Sequence, residues 1–345
     1  MSAAVLFGSF FVLLLLTVPI GYAIGISSLI AIYYFSDIPL IIIAQKSITG
    51  VDSFPLLAIP FFMLAGNLMS SGGIARRLVN FFDALIGHVT GGLGMVTIIV
   101  CMFFAAISGS AVATVSAVGA FMIPEMVDHG YNKPFSAALT AAAGTIGVII
   151  PPSIPFVIYG VVSGTSITDM FTAGFMPGIM MGAALMIVCY FVSKKNGYRG
   201  KEKASSAKEI WVAFKDAFWA ILSPVIILGG IYSGFFTPTE AAVISVVYSF
   251  IVGVFVYKEL DVRGAYKSFK DAIVVNGATT FMVGFSTVFA AFLTMAQIPN
   301  MIAQAILGLT DNAILILLII NIFLLIVGMF IDNIPATIIL TPILL

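Results

Sequence analysis

Charge is what this chain of 345 residues has least of. Asp, Glu, Lys and Arg together make up 9%, against about 25% in ordinary soluble domains. Hydrophobic residues make up 61%, and the mean hydropathy is +1.17. The pairing excludes a soluble domain and a disordered chain. It leaves an all-α polytopic membrane protein, because helices hydrogen-bond their own backbone where lipid cannot. Cysteine is nearly absent. Cys101 and Cys189 sit in apolar runs and read as small buried hydrophobes with no redox role. The two histidines, His88 and His129, lie far apart near segment ends. No ligand spacing or Ser/His/Asp constellation is visible, so neither a transition-metal centre nor a catalytic residue is expected, and an intramembrane enzyme is disfavoured. Fifteen cations balance fifteen anions, which argues against a nucleic-acid partner. Lys46 is the first cation, so the apolar stretch Ala4 to Leu16 lacks the basic flank of a signal peptide. It reads as a retained membrane segment.

A spanning helix needs roughly 20 apolar residues, and runs of 10–14 suggest half helices. The block from about 5 to 44 holds two spans, or one tilted span and a short segment. A span follows from Phe54 to Met69. The stretch 73–89, with Arg76, Arg77, Asp83 and His88, reads as an amphipathic interfacial arm. Blocks 92–125 and 135–163 are each interrupted, the first by Ser108-Gly109-Ser110 and the second by GTIGVIIPPSIPF (144–156). Further spans run from 171 to 192, 217 to 235, 240 to 257 and 273 to 296. A second short amphipathic piece (298–309) precedes an apolar block from 313 onward, which is interrupted by Asp332-Asn333 and Pro335.

Orientation follows from the cations. Seven of the fifteen lie between 194 and 215 and four more between 258 and 270. Both loops are therefore expected in the cytoplasm. Carried outward, this bookkeeping puts both ends of 92–125 on one side. That block then enters the membrane and returns, a re-entrant helical hairpin turning at Ser108-Gly109-Ser110. The block after 313, turning near Asp332, enters from the opposite face. Similar units in opposite orientation, with broken helices near the midplane, are the mark of secondary transporters.

The broken helix has a direct chemical reading. Proline carries no N–H, so Pro151, Pro152 and Pro155 leave the carbonyls of residues 147, 148 and 151 without their usual helical donors. Carbonyl ends and hydroxyls suit Na⁺, and amide ends suit a carboxylate. Asp332, inside an apolar block, is costly and functional by default. Glu240 is accounted for by helix capping with Thr237 or Thr239. Ser116 and Ser136 are expected only to bond the preceding turn. No arginine lies within an apolar segment, so no carboxylate clamp can be named, and the backbone amides of the hairpin tips are the candidates for that work.

Five ordered stretches then resemble one family. They are PFFMLAGNLM (60–69), AAISGSAVATVSAVG (105–119), GTIGVIIPPSIPFVIYG (144–160), GFFTPTEAA (234–242) and DNIPATIILTPILL (332–345). Together they are similar to the large, DctM-like membrane subunit of tripartite ATP-independent periplasmic (TRAP) transporters, across essentially the whole chain. The resemblance implies an elevator-type fold with inverted repeats. Residues 1–91 would be scaffold helices and an arm, and 92–170 the first half of a transport domain. Residues 171–309 would be scaffold with the cytoplasmic loop 193–216 and a second arm, and 310–345 the second hairpin. It implies a multi-pass protein of the bacterial inner membrane that imports an organic acid, such as sialic acid or a C4-dicarboxylate, with Na⁺ as coupling ion. It also implies two partners, a small membrane subunit and a periplasmic substrate-binding protein. The start at Met1 is similar to versions whose small subunit is a separate polypeptide.

Carried onto this chain, the family's sodium sites fall on Ser108, Ser110, Gly144, Gly147, Ile150 and Pro152, with a second site at Asp332. Substrate contacts fall on Ser108, Gly109, Ser110, Ser153, Asn333 and Thr337. A second broken helix is expected beyond residue 345, and a chain without it is not expected to transport. Two alternatives are a Na⁺-coupled anion symporter of a related family without a binding protein and an ion channel.

Overall fold

The computed structural model describes residues 2–36, 39–201, 203–308, 312–329 and 331–345. Among these, all regular secondary structure is helical. The N-terminal block divides into α1 (Ser2–Leu15) and α2 (Ile20–Phe35), which turn at Thr17 with a positive φ and pack together, followed by a short α3 (Ile41–Thr49). The alternative of one tilted span is not what forms. A 3₁₀ turn at Phe54–Leu57 leads into α4 (Ala58–Ser71).

The expected arm is α5 (Ile74–Ile86), which buries Ile74, Ala75, Leu78, Val79 and Phe82 on one stripe. That i, i+1, i+4, i+5, i+8 spacing is the amphipathic pattern read from the sequence. Helices α6 (Gly92–Ser108) and α7 (Ala111–Asp128) form a helical hairpin joined by Gly109 and Ser110. Next come α8 (Lys133–Gly144), a 3₁₀ turn at Thr145–Val148 and α9 (Ile154–Ser163). Long helices follow: α10 (Ile167–Asn196), α11 (Ala207–Tyr232), α12 (Pro238–Ile251), which continues as a π turn at Val252–Val256, and α13 (Val262–Met295). Three shorter helices complete the chain: α14 (Ile298–Leu307), α15 (Ala313–Gly328) and α16 (Asn333–Leu344). The 309–310 boundary expected for the second hairpin lies outside the described residues.

Two helix starts show why the boundaries fall where they do. Ser206 and Glu209 at α11, and Thr237 and Glu240 at α12, each form a reciprocal capping box. Each box satisfies two orphan backbone donors. Glu240 is therefore a capping residue, with Thr237 rather than Thr239 as its partner.

Among the described residues six helices are long and apolar enough to cross a membrane, so the protein is a multi-pass membrane protein. The chain divides into two compact units. One comprises Met1–Leu56, Ile158–Thr165 and Val274–Leu345, with a core of Phe10, Ile24, Phe289 and Leu293. The other comprises Leu57–Val157 and Ser166–Ile273, with a core that includes Leu78, Ile98, Phe104 and Met122. Cys101 and Cys189 are both buried there as free thiols.

The second unit is tied at the arm helix. Arg77 reaches Glu259 at 2.7 Å and Asp216 at 3.2 Å, and its guanidinium lies 3.8 Å from the centre of the Tyr257 ring. The Tyr257 hydroxyl donates to Asp216 O at 3.0 Å and accepts from Ala220 N at 3.1 Å. It thus sits inside one i to i−4 step of α11, a recognised cause of helix bending. Burial lowers the Arg77 pKa, but hydrogen bonds and charge from Glu259 and Asp216 outweigh it, and the net shift is upward.

Candidate functional site

The hairpin tip and the broken helix meet within the second unit. α6 ends at Ser108, and Gly109 takes the left-handed φ of +60° that closes the turn without a Cβ penalty. Ser110 caps α7, its Oγ accepting from Ala113 N at 3.4 Å. The Ser108 and Thr114 hydroxyls are 3.1 Å apart, and Thr114 Oγ1 donates to Ser110 O at 2.8 Å. Ser108, Gly109 and Thr114 are buried, and Ser110 is half-buried.

The break closes onto this tip. Ile154 N, opening α9, donates to Gly109 O at 3.2 Å. A Cβ at Gly109 would stand 2.7 Å from Pro152 O, so two backbones touch there. At Gly147 it would stand 2.8 Å from Thr114 Oγ1 and 2.9 Å from Ser110 O, and at Gly144 2.0 Å from Val115 Cγ2. Glycine is the residue that fits each contact. Gly66 on α4 passes close on another side, where a Cβ would meet Ser108 Cβ at 2.8 Å.

Pro151 and Pro152 are buried and joined by a cis peptide bond. The Val148 carbonyl, left without a helical donor by Pro152, accepts instead from Ser153 Oγ at 2.6 Å. So one of the three expected free carbonyls is satisfied within the chain, and the Ser153 proton is committed to it. Ile150 is buried with Ala105, Ala106 and Ile146.

Seven of the expected residues therefore converge with Ser153: Ser108, Gly109, Ser110, Gly144, Gly147, Ile150 and Pro152. Asp332, Asn333 and Thr337 lie in the other unit, on the first turns of α16. Asp332 begins that helix, is exposed, and makes no side-chain cap bond. Thr337 Oγ1 donates to Asn333 O at 2.7 Å. Ser136 bonds Asn132 O at 3.2 Å, as a serine turning back on its own helix does.

Two features went unassigned in the sequence. Thr114 completes the oxygen cluster, and its sequence setting does not separate it from a threonine that bonds its own preceding turn. Gly174, Gly178 and Gly182 on α10 are the second. A Cβ at each would stand 2.2 Å from Phe156, 2.4 Å from Ile150 and 2.3 Å from Met102, respectively. The spacing of four, small-xxx-small, brings a helix backbone against its neighbours, here the break at Ile150 and Phe156 for the first two glycines and α6 at Met102 for the third.

The cluster Ser108 Oγ, Thr114 Oγ1, Ser110 O and Gly109 O is neutral and composed of oxygen. α6 delivers carbonyl ends and α7 amide ends to the same point. Hard, weakly demanding cations take such ligands, while thiolate and imidazole metals do not. Among the described residues no group of His, Cys, Asp and Glu could hold a metal.

A helical membrane protein whose hairpin tip is closed by a doubly interrupted helix belongs with transport proteins. The family is a particular one: a model of the tripartite ATP-independent periplasmic transporter, DctM component, matches residues 7–345, and the chain belongs to that family. It is 47% identical over 341 residues to the isethionate TRAP transporter permease protein DctMQ of Oleidesulfovibrio alaskensis, covering 99% of this chain and 54% of that one. It is 41% identical over 332 residues to the sialic acid TRAP transporter large permease protein SiaM of Vibrio cholerae, covering 96% and 78%. It is 36% identical over 358 residues to the C4-dicarboxylate large permease protein DctM of Rhodobacter capsulatus, covering 100% and 81%. The chain thus spans about half the length of the isethionate relative. These relatives are permeases, not enzymes.

Proposed function

We propose that the chain is the large membrane subunit of a Na⁺-coupled importer of small organic acids. The observation that carries this is the closure of the Ser108–Thr114 oxygen cluster by the Pro151-Pro152 break, in a family whose relatives are named for isethionate, sialic acid and C4-dicarboxylates. In this reading Na⁺ binds the neutral oxygens of the tip and the freed carbonyls beside it. Its charge then stabilises the substrate's carboxylate or sulfonate near the α7 amide end. A second ion site uses Asp332 on the second hairpin. A periplasmic binding protein delivers the acid, a small membrane subunit enlarges the scaffold, and the site crosses the bacterial inner membrane by an elevator motion. Both hairpins turn within the membrane, and the basic connection 197–206, shorter than the loop expected at 193–216 because α10 and α11 extend into it, lies in the cytoplasm with the helix ends beside it.

The test is uptake by the complete transporter in proteoliposomes, with external binding protein and either an inward Na⁺ gradient or a matched K⁺ gradient. Accumulation is expected only with Na⁺ and binding protein together. Accumulation without binding protein would favour the symporter of a related family, and uptake indifferent to the cation would remove the coupling.

A further inference from the structure

A second candidate site lies in the other compact unit. The C-terminal part of α3 is held tightly to α13. Thr287 Oγ1 lies 3.0 Å from Lys46 O, and a Cβ at Gly284 would stand 2.8 Å from Ser47 O. This fixes the backbone of Lys46 at the rim of a cavity of about 540 Å³. Among the described residues of that unit Lys46 is the one basic side chain. It forms no ion pair with Asp52 or Asp332, the described carboxylates of the same unit. The Lys46 side chain is exposed, so its unpaired ammonium is open to an anion from outside the chain.

The rest of the lining says what kind of anion fits. Most of the wall is apolar and includes Ile158, Val161, Val162 and Ile338. The polar members are mostly spent as donors. Thr49 Oγ1 donates to Gln45 O at 2.9 Å, Thr287 Oγ1 to Gly284 O at 2.6 Å or Lys46 O, and Thr294 Oγ1 to Ala290 O at 3.0 Å. A hydroxyl whose proton is committed offers an anion only lone pairs. The donors left are the Lys46 ammonium and the Ser53 hydroxyl. A dicarboxylate or a polyhydroxylated acid needs more donors than that and gains nothing from the apolar wall. A phosphodiester carries one negative charge on an otherwise apolar body.

We propose that this cavity binds an anionic phospholipid, with the phosphate against Lys46 and Ser53 and an acyl chain along Ile158, Val162 and Ile338. The site does not depend on the transport reading. It fastens a lipid to α3, α9, α13 and α16 of one unit.

Native mass spectrometry of the detergent-purified protein, with phosphatidylglycerol or phosphatidylcholine added, tests it. One basic residue near a lipid surface contributes about 1 kcal/mol, which is about fivefold in affinity. Wild type is expected to retain phosphatidylglycerol over phosphatidylcholine by about that factor. Lys46→Gln should abolish the preference with phosphatidylcholine binding unchanged, Lys46→Arg should keep it, and Lys267→Gln in the other unit should leave it as in wild type. A wild-type preference in Lys46→Gln overturns the proposal. So does displacement of phosphatidylglycerol by millimolar succinate or isethionate, which would assign the cavity to a soluble anion.

Discussion

Ser108, Ser110 and Thr114 have two interior hydroxyls and one carbonyl crowded into a space with no charge to balance. Thr114 gives its proton to Ser110 O, so Ser108 donates to one of the same two oxygens and lone pairs remain facing inward. Such a cluster gains from a cation. Ser108→Ala combined with Thr114→Val should raise the Na⁺ concentration for half-maximal uptake by about tenfold or more, since hydrogen bonds and contacts to a charge carry about 1.5–3 kcal/mol. Unchanged Na⁺ dependence in that variant would take the cluster out of the site. Gly147→Ala should act differently. Its added Cβ meets Thr114 Oγ1 and the Ser110 backbone, and overpacking of that kind costs about 1–3 kcal/mol, read as a lower melting temperature. The serines and glycines of this cluster were legible because polar and flexible residues stand out in an apolar run. Thr114 was not, because a threonine in a membrane helix ordinarily bonds its own preceding turn. It does so here too, to Ser110 O, and only the fold brings Ser108 within reach.

The break, at the scale of elements, is a solved problem in backbone chemistry. Three prolines remove donors, and Ser153 replaces one of them at Val148 O. Ser153→Ala should leave that half-buried carbonyl without its donor at a cost of about 1 kcal/mol, measurable as a lower melting temperature. A Ser153→Thr variant, which keeps the hydroxyl, should melt near wild type. The prolines announced the break in the sequence, but what fills the vacated bond could not be read, because serine 153 is as plausible pointing at a ligand as at a carbonyl. The same holds for α10, which reads as a plain hydrophobic span. Its glycines at 174, 178 and 182 matter only once their neighbours are known. Gly178→Val should collide with Ile150 and reduce both the melting temperature and Na⁺-dependent uptake. Capping was read more easily, since Thr237 and Glu240 carry their own local geometry. Thr237→Ala should cost about 1 kcal/mol.

The whole molecule divides into two units, and the candidate residues divide with them: the tip and break in one, Asp332, Asn333 and Thr337 in the other. The order of spans followed from hydropathy almost throughout, since the apolar part of α13 was legible from 273 onward, but its charged start at Val262 was read as loop because hydropathy does not register a helix that continues beyond its apolar stretch. The division into units did not follow, since it depends on contacts between segments hundreds of residues apart. The Arg77 network joins three separate segments of the larger unit, at residues 77, 216 and 257–259. Its guanidinium pKa is raised, so its contribution is fully present below the ordinary arginine value and lost only as pH rises through the raised one. At any physiological pH the arginine side of the network is constant. Arg77→Lys removes the planar fork between Asp216 and Glu259 and the stacking on Tyr257, and should lower the melting temperature equally at pH 6 and pH 8.

Na⁺ binding at the tip and break is the claim on which the functional reading turns. Any ion that binds only the folded state raises its stability in proportion to RT ln(1 + [ion]/Kd). The direct measurement is the melting temperature of the purified protein in rising NaCl against choline chloride of equal ionic strength, for wild type and for the Ser108→Ala, Thr114→Val variant. A Na⁺-specific rise is expected in wild type and is expected to be lost in the variant. Equal melting temperatures in the two salts, or a Na⁺ rise that survives in the variant, would contradict that claim.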